Sequence, residues 1–261
     1  MALLDLSWDQ AISAAVAGRQ CGLAFDLDLS TDPGSDCSQS EFGDGEWDEQ
    51  DAVSEVGPSS KDTITIFDWD DTLLPTTWIE AQGLSVDDAC QLSEKQKAKL
   101  GEFAQQAMRT LETAMNHGEV VLVTNAEEGW VELSSKKFMP ALYALLQHEG
   151  VRVVSARSTY EPQGVTSASE WKFLAFHDEI ARFCEAGLAG QRPANVISIG
   201  DSPHEREALI RATDCLPNSC IKALKLAHHP GIDELLKQHQ IVGGCFREIA
   251  CHGGHLDVNI D

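Results

Sequence analysis

The chain has 261 residues, with 42 Asp and Glu against 19 Lys and Arg, for a formal charge of −23. That length suits one large domain or two small ones, and so negative a charge, with no run of Lys or Arg to reverse it locally, argues against nucleic acid or an anionic membrane surface as partner. No apolar run reaches the ~18 residues a membrane span needs, and eight cysteines scattered without a C-x-x-C pair point to a reduced compartment, the cytoplasm or the nucleus.

In chain order, residues 1–20 predict a short helix through Leu3, Leu4, Leu6, Trp8 and Ile12; early Asp5 and Asp9 and the lack of a basic start argue against a secretory signal. Residues 1–61 hold thirteen acids and two bases. The stretch 30–61 is so rich in Ser, Gly, Asp and Glu that it cannot bury enough surface to offset its ordering entropy, so this region is expected to be mostly disordered and open to a protein partner. Just before that stretch, Asp26 and Asp28 form a DxDxS run that lacks an adequate strand before it and reads as a decoy.

Residues 62–245 read as one globular unit, followed by a tail over 246–261. Strands are expected at TITIF (63–67), VVLVT (120–124), VRVVS (151–155), NVISIG (195–200) and CIKALKLA (220–227), several of them apolar at nearly every position, as strands buried on both faces are. The clearest helix spans about 93–117, with a Ser93/Gln96 capping box and Gly118 as its stop; others cover about 139–149, 168–185, 203–213 and 232–239. Strands alternating with helices predict an α/β fold, a three-layer α/β/α sandwich around a central parallel sheet.

Ligands bind beyond the carboxyl ends of such strands. Those ends carry Asp68, Asp70, Asp71 and Thr72 after the first strand, Thr124 and Asn125 after the second, Ser155 and Arg157 after the third, and Asp201 after the fourth. Carboxylates converging at the sheet centre repel one another unless a divalent cation sits among them, and hard oxygen ligands favour Mg²⁺. Asp68 and Asp70, two apart on an extended segment, point to the same side, so one can attack while the other protonates a leaving group. Thr124 offers a hydroxyl to a transferring oxyanion, Lys172 a positive charge, and Glu205 an orienting carboxylate one turn after Asp201.

This succession resembles the haloacid dehalogenase superfamily. TITIFDWDDTLLPT is similar to its first motif, an apolar strand followed by DxDxT; VVLVTN to its second, Lys172 to its third, and VISIGDSPHERE to its fourth in a GDxxxE form. The resemblance covers about 62–245, and FDWDDTLLPT with TNAEEGWVEL is similar to a eukaryotic group within the superfamily. It implies a Rossmann-like fold, an aspartyl-phosphate on Asp68, and Asp70 as general acid and base. It also implies phosphate binding by Thr124, Asn125 and Lys172, Mg²⁺ on Asp68, Asp201 and the backbone carbonyl of Asp70, and supporting roles for Thr72 and Glu205. The second Asp, which the family's dehalogenases lack, implies a phosphatase acting on a phosphomonoester, small or protein-borne. The gaps between motifs leave no room for a sizeable cap domain, so the loops 74–92 with Trp78 and 157–167 with Tyr160 are the candidate lids.

Other readings compete. Lys172 could be a surface lysine snorkelling past Trp171, with Lys136 and Lys137 as rival cations; Glu205 could be a first-turn acid favoured by the helix dipole. Cys245, Cys251, His252 and His255 have a spacing that fits none of the usual zinc patterns. Trp78, Trp130 and Trp171 read as packing residues. The rival function is a non-enzymatic scaffold that senses phosphate and uses its acidic tail for partners. A mutase is disfavoured by the open site, and a response-regulator receiver by the order of its acids and lysine.

Overall fold

The computed structural model describes residues 58–87, 89–186, 193–216 and 219–260. The expected N-terminal helix and acidic region up to residue 57, with the Asp26/Asp28 decoy, lie outside the described residues. Six strands form one all-parallel sheet: β1 (Thr63–Phe67), β2 (Glu119–Thr124), β3 (Arg152–Ser155), β4 (Asn195–Gly200), β5 (Cys220–Leu226) and β6 (Leu256–Ile260), in the order β3-β2-β1-β4-β5-β6. The five strands read from the sequence are all present. The sixth corrects the expected tail: Leu256 and Ile260 are buried and β6 pairs with β5, so the globular unit runs on to residue 260.

Eight α-helices are described: α1 (Thr76–Ala81), α2 (Glu94–Met115), α3 (Trp130–Phe138), α4 (Pro140–Glu149), α5 (Ala156–Tyr160), α6 (Ala168–Ala186), α7 (Pro203–Thr213) and α8 (Ile232–Cys251). Period-2 alternation on the central strands divides the core. Phe67, Leu122, Ile197 and Ile199 pack against α2, α4 and α8, while Ile64, Ile66, Val121 and Val196 pack against α6 and α7. The result is the expected three-layer sandwich, and each fully buried Phe, Leu or Ile contributes roughly 1.5–3 kcal/mol. Among the described residues no inserted domain stands over the carboxyl ends of the strands. Each expected lid loop contains a short helix: Trp78 lies on α1 packed against the core, and Tyr160 ends α5, buried, donating to Asp178 Oδ2 at 2.7 Å.

The Ser93/Gln96 capping box forms as read. Gly118 has a different role from the expected helix stop, since α2 is closed by Asn116. A Cβ at Gly118 would lie 2.2 Å from the Thr63 carbonyl oxygen, so glycine is needed there for the chain to enter β2 beside the start of β1. Helix α8 runs twelve residues past its expected end at 239. Cys245 is buried in the core, and His255 Nδ1 accepts from the Ile221 amide at 3.1 Å.

His239, on α8, fastens that helix to the turn after β1. Its Nε2 lies 2.8 Å from the Thr72 carbonyl and its Nδ1 3.1 Å from Thr110 Oγ1. The carbonyl can only accept, so the neutral ring carries its proton on Nε2. Burial pushes this imidazole down to about 4, against a partial opposing effect of the Thr72 hydrogen bond. The unfolded chain therefore binds this proton near pH 6.5 and the folded chain near pH 4, so stability is complete above 6.5 and lost as the pH falls toward 4. Over that window His239 is expected to cost about 3 kcal/mol of folding stability. Urea titrations at a series of pH values check this: the difference between wild type and His239→Gln should follow that curve, and parallel pH profiles would refute it.

Candidate active site

Parallel pairing sets the site. Phe67 stands opposite Leu122 on one side and Ile199 on the other, so the residues that follow β1, β2 and β4 emerge together at one end of the sheet. Strand order reverses at β1, with β2 and β3 laid to one side and β4 to β6 to the other. The crevice between β1 and β4 is therefore the topological switch point where doubly wound sheets bind ligands. Asp68 and Asp201 flank it.

Lys172 projects from α6 into this crevice and is only 1% exposed. Its Nζ donates to Asp68 Oδ1 at 2.6 Å and to the Val123 carbonyl at 3.0 Å, and lies 3.0 Å from Glu205 Oε1. Snorkelling past Trp171 is thereby excluded. Lys136 and Lys137 sit in the last turn of α3, with Lys137 Nζ donating to the Asp87 carbonyl at 2.9 Å. Asn125 Nδ2 donates to the Ala168 carbonyl at 3.1 Å, tying the end of β2 to the first turn of the helix that carries Lys172.

Glu205 has two duties. Its Oε2 accepts from the Ser202 amide at 3.0 Å, completing the capping box of α7, while Oε1 faces Lys172. Space for it comes from Gly200, where a Cβ would lie 2.5 Å from Glu205 Cγ. Carboxylate oxygens of Asp68, Asp201 and Glu205, all buried, lie within 4.8 Å of one another, and this is the one such group among the described residues. Cys245, Cys251, His252 and His255 form no comparable cluster.

The electrostatics follow from burial. Asp68 is pushed up to about 7, first by desolvation, with Lys172 opposing and Glu205 adding to the rise. Burial works to lower the Lys172 ammonium, but Asp68 and Glu205 outweigh it and hold the group above its ordinary range. Asp201 is raised by burial, relieved in part by His228, whose Nδ1 lies 3.0 Å from Asp201 Oδ2. Three carboxylates share one ammonium, so when all are ionised two negative charges remain for a hard divalent cation to offset. The donor set suits Mg²⁺.

Asp70 is held apart from this group. Thr76 Oγ1 and Trp130 Nε1 both donate to its Oδ1, at 2.7 and 2.9 Å, and among the described residues its Oδ2 accepts no hydrogen bond. Asp71 is tied to the start of α1, where its carboxylate accepts from the Thr77 amide and hydroxyl at 2.7 and 2.5 Å, with its backbone at φ +51°, and its charge adds to the rise of Asp201. Thr124 is buried, and its Oγ1 accepts from the Ala126 amide at 3.0 Å, which leaves the hydroxyl proton for another acceptor. Thr72 is fully buried, its hydroxyl has no hydrogen-bond partner among the described residues, and its carbonyl is held by His239.

Sequence reasoning missed Trp130, Thr76 and His228. Trp130 lies sixty residues from Asp70 and carries no local signal. His228 comes two residues after β5, so the strand-end rule that found Asp201 would have found it too. No family model, curated protein or solved structure matches the chain, and the reading of the site rests on its own geometry.

Removing Lys172 strands Asp68 and Glu205 in a dry crevice. Lys172→Met is expected to lower folding stability by about 3–5 kcal/mol at neutral pH, measured by urea denaturation. A loss below about 1 kcal/mol would show that the pair is solvated and the crevice open.

Proposed function

We propose that this chain is a Mg²⁺-dependent phosphohydrolase that works through an aspartyl-phosphate on Asp68. The observation that carries this reading is a carboxylate aligned by a buried ammonium at the switch point, with a second aspartate two residues on whose Oδ2 is open. The motif order that resembles the haloacid dehalogenase superfamily supports it.

In this reading an Asp68 oxygen attacks the phosphorus of a phosphomonoester, and the bond to the leaving oxygen breaks as Asp70 gives that oxygen its proton. Ionised Asp70 then takes a proton from water, which attacks the acyl phosphate, releasing inorganic phosphate, freeing the Asp68 carboxylate and returning Asp70 to its protonated form. Trp130 and Thr76 keep Asp70 in place for both transfers by fixing Oδ1. Lys172 offsets charge on the phosphoryl oxygens, and the Thr124 hydroxyl donates to one of them. Asp68, Asp201 and Glu205 would hold Mg²⁺, which when bound supplies the positive charge that favours ionised Asp68 and accepts the phosphoryl group's negative charge. Phosphoryl transfer asks mainly for such positioning and charge neutralisation.

Purified protein is expected to hydrolyse an aryl phosphate with Mg²⁺, to stop when the metal is chelated, and to recover when it is restored. Asp68→Asn should abolish turnover with an unchanged circular dichroism spectrum, and Asp70→Asn should slow it roughly 10²–10⁴-fold. Undiminished hydrolysis by Asp68→Asn would sink the assignment.

A further inference from the structure

Beside Thr124 a cavity of about 450 Å³ opens along the β3 edge of the sheet, between that strand and helices α3 and α4. Its inner wall is apolar, built from residues such as Val131, Leu146 and Val151, and its rim carries Glu127, Glu128 and Glu132. Arg157 lies 3.6 Å from Glu127 and partly neutralises it. Glu128 and Glu132 are exposed and make no ion pair among the described residues. Among the described residues β3 pairs with β2 alone, and Val153, which also lines the cavity, is 42% exposed.

These features select a ligand. An unpaired strand edge accepts an extended chain, which adds main-chain hydrogen bonds and sends alternate side chains toward the sheet face. Unpaired glutamates on an open rim favour cations and disfavour further anions. Strands lie ~4.8 Å apart, so a chain added outside β3 runs ~14 Å from the line of β1 and Asp68. About four extended residues cover that distance.

We propose that this groove docks a basic segment of a phosphoprotein substrate, with Arg or Lys about four residues from the phosphorylated side chain. The inference rests on the phosphohydrolase reading and names its substrate class. It also resolves a difficulty of charge, because a phosphate that arrives with neighbouring cations is not repelled by a chain carrying −23.

The test uses full-length protein and three phosphoserine peptides that differ only in flanking residues: arginines, glutamines or glutamates. The arginine peptide is expected to show a kcat/KM about tenfold above the glutamine peptide, with the glutamate peptide lowest. Glu128→Gln combined with Glu132→Gln should erase that preference and leave aryl-phosphate hydrolysis unchanged, while Glu128→Lys with Glu132→Lys should invert it. Equal kcat/KM for the three peptides, with aryl-phosphate hydrolysis intact, overturns the docking proposal alone. Phosphocholine favoured over the aryl phosphate to the same degree as the arginine peptide, and equally sensitive to the paired glutamine variant, overturns the peptide as occupant. If nothing is hydrolysed, the phosphohydrolase reading fails, and fluorescence anisotropy with the labelled arginine and glutamine peptides still decides the groove. Tighter binding of the arginine peptide, lost in the paired glutamine variant, supports it, and equal binding overturns it.

Discussion

Everything at the carboxyl end of the sheet is arranged around one buried ammonium. Taking Lys172 out of water costs several kcal/mol, and that cost is offset only if anionic and carbonyl oxygens meet it in good geometry. Asp68, Glu205 and the Val123 carbonyl do so, and each comes from a different segment: the end of β1, the first turn of α7 and the end of β2. Correct pairing of three strands and correct docking of two helices are therefore preconditions for the ion cluster. Gly200 is needed for the same reason, since any side chain there would expel Glu205. A backbone detail one residue before Asp201 thus governs the electrostatics of the whole crevice.

The opposite end of the sheet provides a control. Lys222, on β5, is just as buried, yet its Nζ finds neutral oxygens, those of Asn195 and the Ala250 carbonyl. Desolvation lowers that ammonium to about 8, only partly opposed by Cys220 and Cys251. Lys172 moves in the other direction because carboxylates face it. Burial alone does not decide the charge state of a lysine; the partners do. One fold thus holds a structural lysine that is easily neutralised and a site lysine fixed as a cation.

What could be read from the residues follows the same division between local and long-range causes. β1, β2 and β4 announce themselves as short runs rich in Val, Ile and Thr, buried at nearly every position because both faces are covered, and the capping boxes at Ser93 and Ser202 are short-range patterns. β6 escapes because it is an edge strand in which only Leu256 and Ile260 are buried, and LDVNI after a Gly pair looks like an unstructured end. α3 escapes because it starts at Gly129, at φ +88°, with no side-chain cap. In the site, Asp68, Thr124 and Asp201 converge because the ends of neighbouring parallel strands must converge, and Lys172 reaches them from α6. The grip of Trp130 and Thr76 on Asp70 comes from how α3 and α1 pack over the β1 turn, and no spacing encodes it.

The charge of the chain therefore has to be considered by distance. At physiological ionic strength screening acts over about 8 Å, so the field inside the crevice is set by the charges that line it and not by the net −23 of the chain. What a ligand meets at the mouth is local: a buried ammonium, a threonine hydroxyl, an aspartate with one open oxygen, and beyond them a glutamate-lined groove. In the proposed function a bound divalent cation offsets the two uncompensated charges at the base of the site, so the field runs from neutralised there to negative along the approach. On that proposal a matched ligand carries its phosphate ahead and its positive charge behind.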